Sequence, residues 1–299
     1  MSAAVLTGPS VHVRKFLRLV MIEHSVFALP FAYLSALTAM FDLSGRVNWG
    51  RLALITLAMV GARTFAMAVN RIIDREIDAR NPRTAQRELV TGAMSTRTAA
   101  IGAAVALAVF LTAAGLLSPL CVALAPIAAA VLVIYPYAKR FSWAPHAFLA
   151  LAQAAGPIGA WIAVRNRLDW PGALLGIAVG LWIGGFDLIY ACQDVAADRA
   201  GGMQSLPVRF GIRAALVTAR MAHGIVMLLF VVFGLLEGFD VLWWVGLLGT
   251  AVAFYYEHSL VTPSDLSKVN RAFFTVNGFV GIWLFGSALA DLAARGLRP

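Results

Sequence analysis

Nine apolar runs dominate this chain, near residues 16–41, 51–73, 98–117, 119–138, 144–164, 171–193, 212–236, 240–261 and 271–294. A helix needs roughly 20 apolar residues to cross a hydrocarbon layer of about 30 Å, so each run is long enough to span one. Inside that layer backbone amides must be satisfied within the segment, which favours helices over open strands. The sequence therefore predicts an all-α integral membrane protein with nine transmembrane helices. Composition agrees, since 61% of the 299 residues are hydrophobic and only 13% are charged. In "LLSPL", Pro119 ends the third run and starts the fourth, which predicts a tight hairpin. Cys121 and Cys192 both lie in apolar runs and read as packing residues rather than a disulfide. No small-residue cleavage site follows the N-terminus, so the run from Phe16 reads as the first mature helix.

The basic residues set the orientation. Arg14, Lys15 and Arg18, then Arg75, Arg80, Arg83, Arg87 and Arg97, then Lys139 and Arg140, then Arg199, Arg209 and Arg213, then Lys268 and Arg271 fall on one side. The other side carries only Arg46, Arg51, Arg165, Arg167, Arg295 and Arg298. Positively charged loops stay inside, so the N-terminus is expected in the cytoplasm and, after nine spans, the C-terminus outside. The net charge of +9 then follows from topology and from attraction to anionic lipid or substrate, with no nucleic-acid partner required.

Charge is concentrated where the second run ends, in "AVNRIIDREIDARNPRTAQREL" from Ala68 to Leu89. If the helix continues past Val69, Asn70, Asp74 and Asp78 stack on one face at four-residue spacing and Glu76 points away. Two carboxylates at a partly desolvated helix end repel each other unless a cation intervenes, and hard oxygen ligands suit Mg²⁺. The alternative is that these acids are solvated or pair with Arg71, Arg75 and Arg80. A second copy bears on the choice. "FDLIYACQDVAADRAGGMQSLPVRFG", Phe186 to Gly211, ends another run on the same side, with Asp187, Asp194 and Asp198 on one face and Tyr190 beside them. Asp74 to Asp194 and Asp78 to Asp198 are both offset by 120 residues, as in a single domain over 1–299 built from two weakly repeated halves.

Two acidic faces at one membrane surface can share several Mg²⁺ ions, and the ligand that needs such ions together with Arg and Lys is a di- or triphosphate. Attached to something that lives in lipid, it suggests an isoprenyl diphosphate. Lys139 and Arg140, in "YPYAKRF", lie on the same side, either as diphosphate contacts or as ordinary basic anchors. Arg63 precedes Asn70 by seven residues, on the same face but two turns deeper, and needs a partner such as Asp187, a diphosphate oxygen or an acceptor carboxylate. Glu23 and His24 in the first run read as a hydrogen-bonded structural pair or as acceptor ligands.

These residues carry a resemblance. Asn70–Asp78 with Arg83, Thr84 and Arg87 following, "YPYAKR" at 135–140, and Asp187–Asp198 resemble the two aspartate-rich motifs and the connecting basic loop of the UbiA superfamily of intramembrane aromatic prenyltransferases. The similarity covers nearly the whole chain. It implies nine helices around a central cavity capped by cytoplasmic loops, in a cell inner membrane, with the active site on the cytoplasmic side. By the same resemblance, Asn70, Asp74 and Asp78 are first-motif Mg²⁺ ligands, Asp194 and Asp198 second-motif ligands, and Lys139 a diphosphate contact. Asp187 matches an acidic position before the second motif that activates or orients the acceptor. Arg71 stands where many members carry Asp, and "ELVTG" at 88–92 replaces a proline-containing turn. "IEHSVFALPFAY", Ile22 to Tyr33, resembles the first helix of members that act on carboxylated aromatic acids in quinone pathways, the futalosine branch of menaquinone synthesis included.

The implied reaction is Mg²⁺-dependent transfer of a polyprenyl group from its diphosphate to the ring of a hydroxylated aromatic acid of the 4-hydroxybenzoate type. Arg63, Asn70, Lys139, Arg140 and Tyr190 would contact substrate, and Asp74, Asp187 and Asp194 would serve catalysis. Dihydroxynaphthoate, haem or chlorophyllide remain as other acceptors. A secondary transporter is the competing class, but its charges belong near the bilayer centre rather than at helix ends. Oligomeric state and prenyl length are not specified by the sequence. The orientation is testable: cysteines at Ser95 and Ser205 should react with an impermeant thiol reagent from the cytoplasm and one at Ser44 from outside, and the reverse pattern would overturn the charge argument.

Overall fold

Thirteen α-helices follow one another in the computed structural model, which describes Phe16, Leu19 and residues 29–299. They are α1 (Leu29–Ser44), α2 (Trp49–Ile73), α3 (Arg75–Arg80), α4 (Thr96–Leu117), α5 (Pro119–Ile134), α6 (Ala138–Phe141), α7 (Pro145–Arg165), α8 (Trp170–Ala191), α9 (Val195–Ala200), α10 (Leu206–Phe210), α11 (Ile212–Leu236), α12 (Val241–Ser259) and α13 (Asn277–Ala294). A 3₁₀ turn (Tyr135–Tyr137) joins α5 to α6, and a π turn (Arg271–Val276) leads into α13. Among the described residues there is no strand, only two isolated bridges.

Among the described residues seven helical stretches are long and apolar enough to cross a membrane: Trp49–Ile73, Thr96–Leu117, Pro119–Phe141, Pro145–Arg165, Trp170–Ala191, Ile212–Leu236 and Arg271–Ala294. The eighth expected run forms α12, 19 residues whose last turns carry Tyr255, Tyr256, Glu257 and His258 and so dilute its hydropathy. The first expected span is described mainly as α1, and the Glu23–His24 pair lies outside the described residues. The helix starts are written locally. Asn48 accepts from the Arg51 amide at 2.9 Å, Ser95 from Thr98 at 3.1 Å and Ser118 from Cys121 at 3.2 Å, each satisfying an orphan donor of a first turn. Ser118 and Pro119 together make the predicted hairpin between α4 and α5.

Successive spans alternate in direction, so the connections segregate to two ends. At one end Val47 donates to the Arg298 carbonyl at 2.8 Å, Arg51 Nη1 caps α7 at the Ala163 carbonyl at 2.6 Å, and Arg295 Nη2 reaches the Glu237 carbonyl at 2.9 Å. The opposite end holds α3, α6, α9, α10 and both aspartate motifs. The interior is a large cluster that includes Phe31, Trp161, Trp182, Phe230 and Trp243, and a smaller one of Leu19, Phe65, Leu89, Met94 and small alanines.

Lipid tails are as apolar as leucine, so helices in a bilayer associate through close packing of small residues and not through expulsion of water. Helix α8 meets α7 in this way. A Cβ on Gly180 would lie 2.4 Å from the Ala150 carbonyl oxygen. Gly180→Ala should therefore push α7 and α8 apart, an overpacking cost of about 1–3 kcal/mol. Thermal unfolding in detergent should show a drop of several degrees, whereas Gly115→Ala, with nothing within 4 Å of the added carbon, should leave the midpoint unchanged or raised. Ser205 is 3% exposed and caps α10, so Ala200, on the exposed surface of the same connection, is the better position for labelling that loop.

Candidate functional site

Both aspartate motifs sit where a long helix breaks. Helix α2 does not run on through Asp78: it stops at Ile73, Asp74 takes φ −90° and ψ 1°, and the six-residue α3 follows. At the second motif α8 stops at Ala191, Asp194 takes φ −93° and ψ −1°, and the six-residue α9 follows. The Asp78 amide bonds the Asp74 carbonyl at 2.8 Å, and the Asp198 amide bonds the Asp194 carbonyl at 2.8 Å. The four-residue phase expected of a continuous helix thus survives the break. The break itself turns the second carboxylate of each pair into the mouth of the bundle.

Three of the four motif aspartates are paired, but not with the neighbours that sequence spacing offered. Asp74, 3% exposed, takes Lys139 Nζ at 2.5 Å and lies 3.3 Å from Arg140, and Asn70 Nδ2 donates to its Oδ2 at 3.3 Å. Asp78 receives Arg87 Nη1 on both oxygens at 2.6 Å. Arg71 instead turns back to the Leu19 carbonyl, 3.4 Å away, and Arg75 donates to the Leu89 carbonyl at 3.1 Å. Asp194 receives Nε of Arg83 at 3.0 Å, its Nη2 at 2.6 Å and Asn81 Nδ2 at 3.0 Å, so the loop after the first motif clasps the second. A cleft of about 580 Å³ lies there, between Asn81, Arg83, Gln193, Asp194 and Ala197.

The basic loop holds the two motifs together. The Gln204 amide, beyond the second motif, donates to the Lys139 carbonyl at 2.7 Å while the Lys139 side chain reaches Asp74. Arg140 caps α2 at the Ile73 carbonyl, 2.8 Å away. It is therefore a structural brace as well as a cation at the site. Tyr190 accepts from Arg83 Nη1 at 3.2 Å, lies under that guanidinium at 5.0 Å and packs on Phe273 with ring centroids 4.3 Å apart. It serves packing and site together.

Asp187 and Arg63 do not pair. Asp187 is bonded to His146 Nδ1 at 2.7 Å, a partner that sequence reasoning missed. The signal was present, since His146 is a polar residue in the first turn of an apolar span on the motif side. Arg63 lines an apolar cavity of about 350 Å³ with Met59, Phe110, Tyr135, Leu151 and Gln153, and its Nε has no hydrogen-bond partner.

The donor set fits a hard divalent cation. Oδ1 of Asp74 is buried without a hydrogen bond, and Asp198 makes no ion pair among the described residues. Burial pushes the Asp198 carboxyl up to about 6, the Asp194 carboxylate adds to the rise, and Lys139, Arg83 and His146 oppose it.

The UbiA prenyltransferase family profile matches residues 28–280. The chain belongs to the UbiA prenyltransferase family. It is thus a multi-pass membrane protein and an enzyme of prenyl transfer. It is 30% identical over 245 residues to a 4-hydroxybenzoate octaprenyltransferase of Nitrosospira multiformis, covering 82% of this chain and 83% of that one. A protein of the same name from Paraburkholderia phymatum is 27% identical over 284 residues, 94% of this chain and 96% of the relative. Among solved structures, the apo UbiA homologue of Aeropyrum pernix superposes with a TM-score of 0.81 at 31% identity, over 91% of this chain and 98% of that one. The UbiA homologue of Archaeoglobus fulgidus bound to GPP and Mg²⁺ shares the fold with a TM-score of 0.73 at 19% identity, over 93% and 99%.

For this UbiA member the shifted carboxyl has a sign that can be checked. Asp198 binds its proton more tightly when folded than its ordinary value of 3.8, so without a cation it opposes folding above about pH 6, and that penalty fades as pH falls toward 3.8. Asp198→Asn should therefore unfold at higher temperature than wild type in EDTA at about pH 7.5. Scanning calorimetry should find the difference shrinking between about pH 6 and pH 4, with Mg²⁺ and a prenyl diphosphate added together stabilising wild type more than the variant.

Proposed function

We propose that this enzyme transfers a polyprenyl group from a polyprenyl diphosphate to the ring of a hydroxylated aromatic acid of the 4-hydroxybenzoate type, in ubiquinone or menaquinone biosynthesis. The observation that carries this reading is one continuous arrangement: two matched aspartate breaks joined by Lys139 and Arg83, opening beside an apolar cavity lined by the half-buried Arg63. The curated relatives named for 4-hydroxybenzoate support the acceptor class, and the Archaeoglobus homologue bound to GPP and Mg²⁺ supports the donor. The chain is read as nine spans in an inner membrane, two weakly repeated halves, with the N-terminus and the site on the cytoplasmic side.

Asn70, Asp74 and Asp78 on one break and Asp194 and Asp198 on the other hold the divalent cation. Bound there, Mg²⁺ supplies charge neutralisation of the leaving diphosphate. Lys139, Arg140, Arg83 and Arg87, which now pair with the acids, donate to diphosphate oxygens. The allylic C–O bond breaks toward a carbocation, diphosphate leaves with the electron pair, and a ring carbon of the acceptor forms the new C–C bond. Asp187, held by His146, orients the phenol and takes up the proton released when the ring regains aromaticity. The Tyr190 ring faces the developing cation, and the apolar cavity keeps water from quenching it. Arg63 receives the acceptor's carboxylate, since its Nε is unpartnered at the cavity wall.

Purified enzyme given a polyprenyl diphosphate, Mg²⁺ and a panel of aromatic acids should prenylate 4-hydroxybenzoate or a close hydroxy acid, as read by mass spectrometry. Asp74→Asn and Asp194→Asn should each lower kcat by about 100-fold or more. Arg63→Ala should raise the acceptor's KM more than the diphosphate's. Wild-type turnover in EDTA would remove the metal reading, and farnesylation of haem alone would remove the acceptor reading while leaving the family intact.

A further inference from the structure

Three side chains that the prenyl-transfer site does not use converge elsewhere in the bundle. Glu257 and His258 end α12 in "FYYEHS", and His223 lies within α11. Glu257 is 0% exposed and His223 2% exposed. A buried carboxylate is costly unless a cation or a full set of hydrogen bonds answers it. Among the described residues no Lys or Arg pairs with Glu257; its Oε1 accepts from Asn277 Nδ2 at 2.7 Å, while Oε2 has no hydrogen bond and faces His223 Nδ1 at 3.4 Å.

The histidine tautomer follows from its other contact. His223 Nε2 is 3.2 Å from the Trp182 carbonyl, which can only accept, so Nε2 carries the proton and Nδ1 presents its lone pair. His258 Nε2 lies 3.0 Å from that Nδ1. One ligand atom from each of the three residues falls within 4.8 Å of the others. Two atoms each about 2.1 Å from a shared ion, at angles of roughly 90–110°, stand about 3.0–3.4 Å apart, the two edges seen here.

The surroundings are those of a supported ligand set. Metal-bound histidine and carboxylate are oriented by outer hydrogen bonds. Trp182 supplies one to His223 and Asn277 one to Glu257, and Asn277 is itself fixed by Trp182 Nε1 at 2.7 Å and the Ala272 carbonyl at 3.0 Å. The Phe254 ring stacks on His223 at 4.4 Å, and Gly185 leaves the space that His223 fills, since a Cβ there would lie 2.6 Å from Nε2. His258 is only half-buried, giving an approach from the α12 end.

We propose that His223 Nδ1, Glu257 Oε2 and His258 Nε2 form a second metal site, for a borderline divalent ion of the Zn²⁺ class, separate from the aspartate motifs. Two imidazoles and one carboxylate suit Zn²⁺ or its first-row neighbours and disfavour Mg²⁺, which prefers an all-oxygen octahedron. The full-length protein, stripped with EDTA and dialysed, should bind one Zn²⁺ per chain by calorimetry. Glu257→Gln and His258→Gln should each weaken that binding at least 10-fold, whereas Asp74→Asn plus Asp194→Asn should leave its stoichiometry unchanged. Wild-type protein loaded with Co²⁺ alone should show the visible bands of a four- or five-coordinate nitrogen–oxygen site, a reading that does not depend on any variant folding. No Zn²⁺ uptake, a six-coordinate Co²⁺ spectrum, or uptake equal in both triad variants would overturn the proposal and leave the three residues as a hydrogen-bonded chain with Glu257 protonated.

Discussion

The ion pair between Lys139 and Asp74 is the contact on which the site end depends. An aspartate that is 3% exposed at the end of a membrane helix is untenable alone, and the cation that answers it comes from the basic segment that directly follows α5. Because the Lys139 backbone also accepts from Gln204, one residue ties the first break, the hairpin helices and the loop after the second break. Arg83 makes the complementary tie by crossing from the first motif's loop to Asp194. Remove these cross-links and the two halves of the acidic cleft keep the Asn81–Asp194 hydrogen bond and apolar packing, which in lipid is weak and undirected.

Much of this was legible in the sequence because its causes are local or periodic. Apolar run length located the helices and Ser118 and Pro119 wrote the hairpin, whereas the two helix breaks, with nearly the same dihedral angles, were not foreseen where the sequence read a helix continuing through the first motif. The family followed from the same residues. What was not legible is pairing across distance. Spacing offered Arg71 and Arg75 as partners for the acids, yet the chain uses Lys139 and Arg87, because α3 turns away from the axis of α2 at Asp74 and carries Asp78 toward the following loop. Arg63 lines the apolar cavity, but Asp187, one of its candidate partners, goes to His146, which belongs to a helix whose neighbour in the bundle is set by Gly180 and small alanines rather than by any charge pattern.

The apolar cavity and the charged cleft divide the substrate problem between them. The cavity's wall is almost wholly aliphatic and aromatic, with Arg63, Tyr135 and Gln153 as its polar features, so it selects a largely apolar body with one or two fixed polar groups. The acids and bases lie at the mouth, where the helices break. That division explains why the diphosphate end is readable from motifs and the acceptor end is not: a phosphate site is built from repeated charges, whereas an acceptor site is a shape with one half-buried guanidinium.

The charge balance at the mouth carries a further consequence for the proposed reaction. Asp74, Asp78, Asp194 and Asp198 are matched by Lys139, Arg140, Arg83 and Arg87, and nearly every one of these cations already bonds an acid of the motifs. Of the cations lining the cleft only Arg80 makes no ion pair among the described residues, so a bare diphosphate meets bases that are mostly engaged already. Each Arg or Lys that turns to a phosphate oxygen leaves a carboxylate uncompensated in a poorly solvated place, and a carboxyl as raised as Asp198's can meet that deficit by taking up a proton. On the proposed reading, diphosphate and divalent cation must enter as a unit, the acids exchanging their basic partners for the metal as the bases exchange the acids for phosphate. The same pairs that hold the cleft together without substrate are then the ones that recognise it, so binding rearranges partners without adding net charge to the membrane end of the bundle.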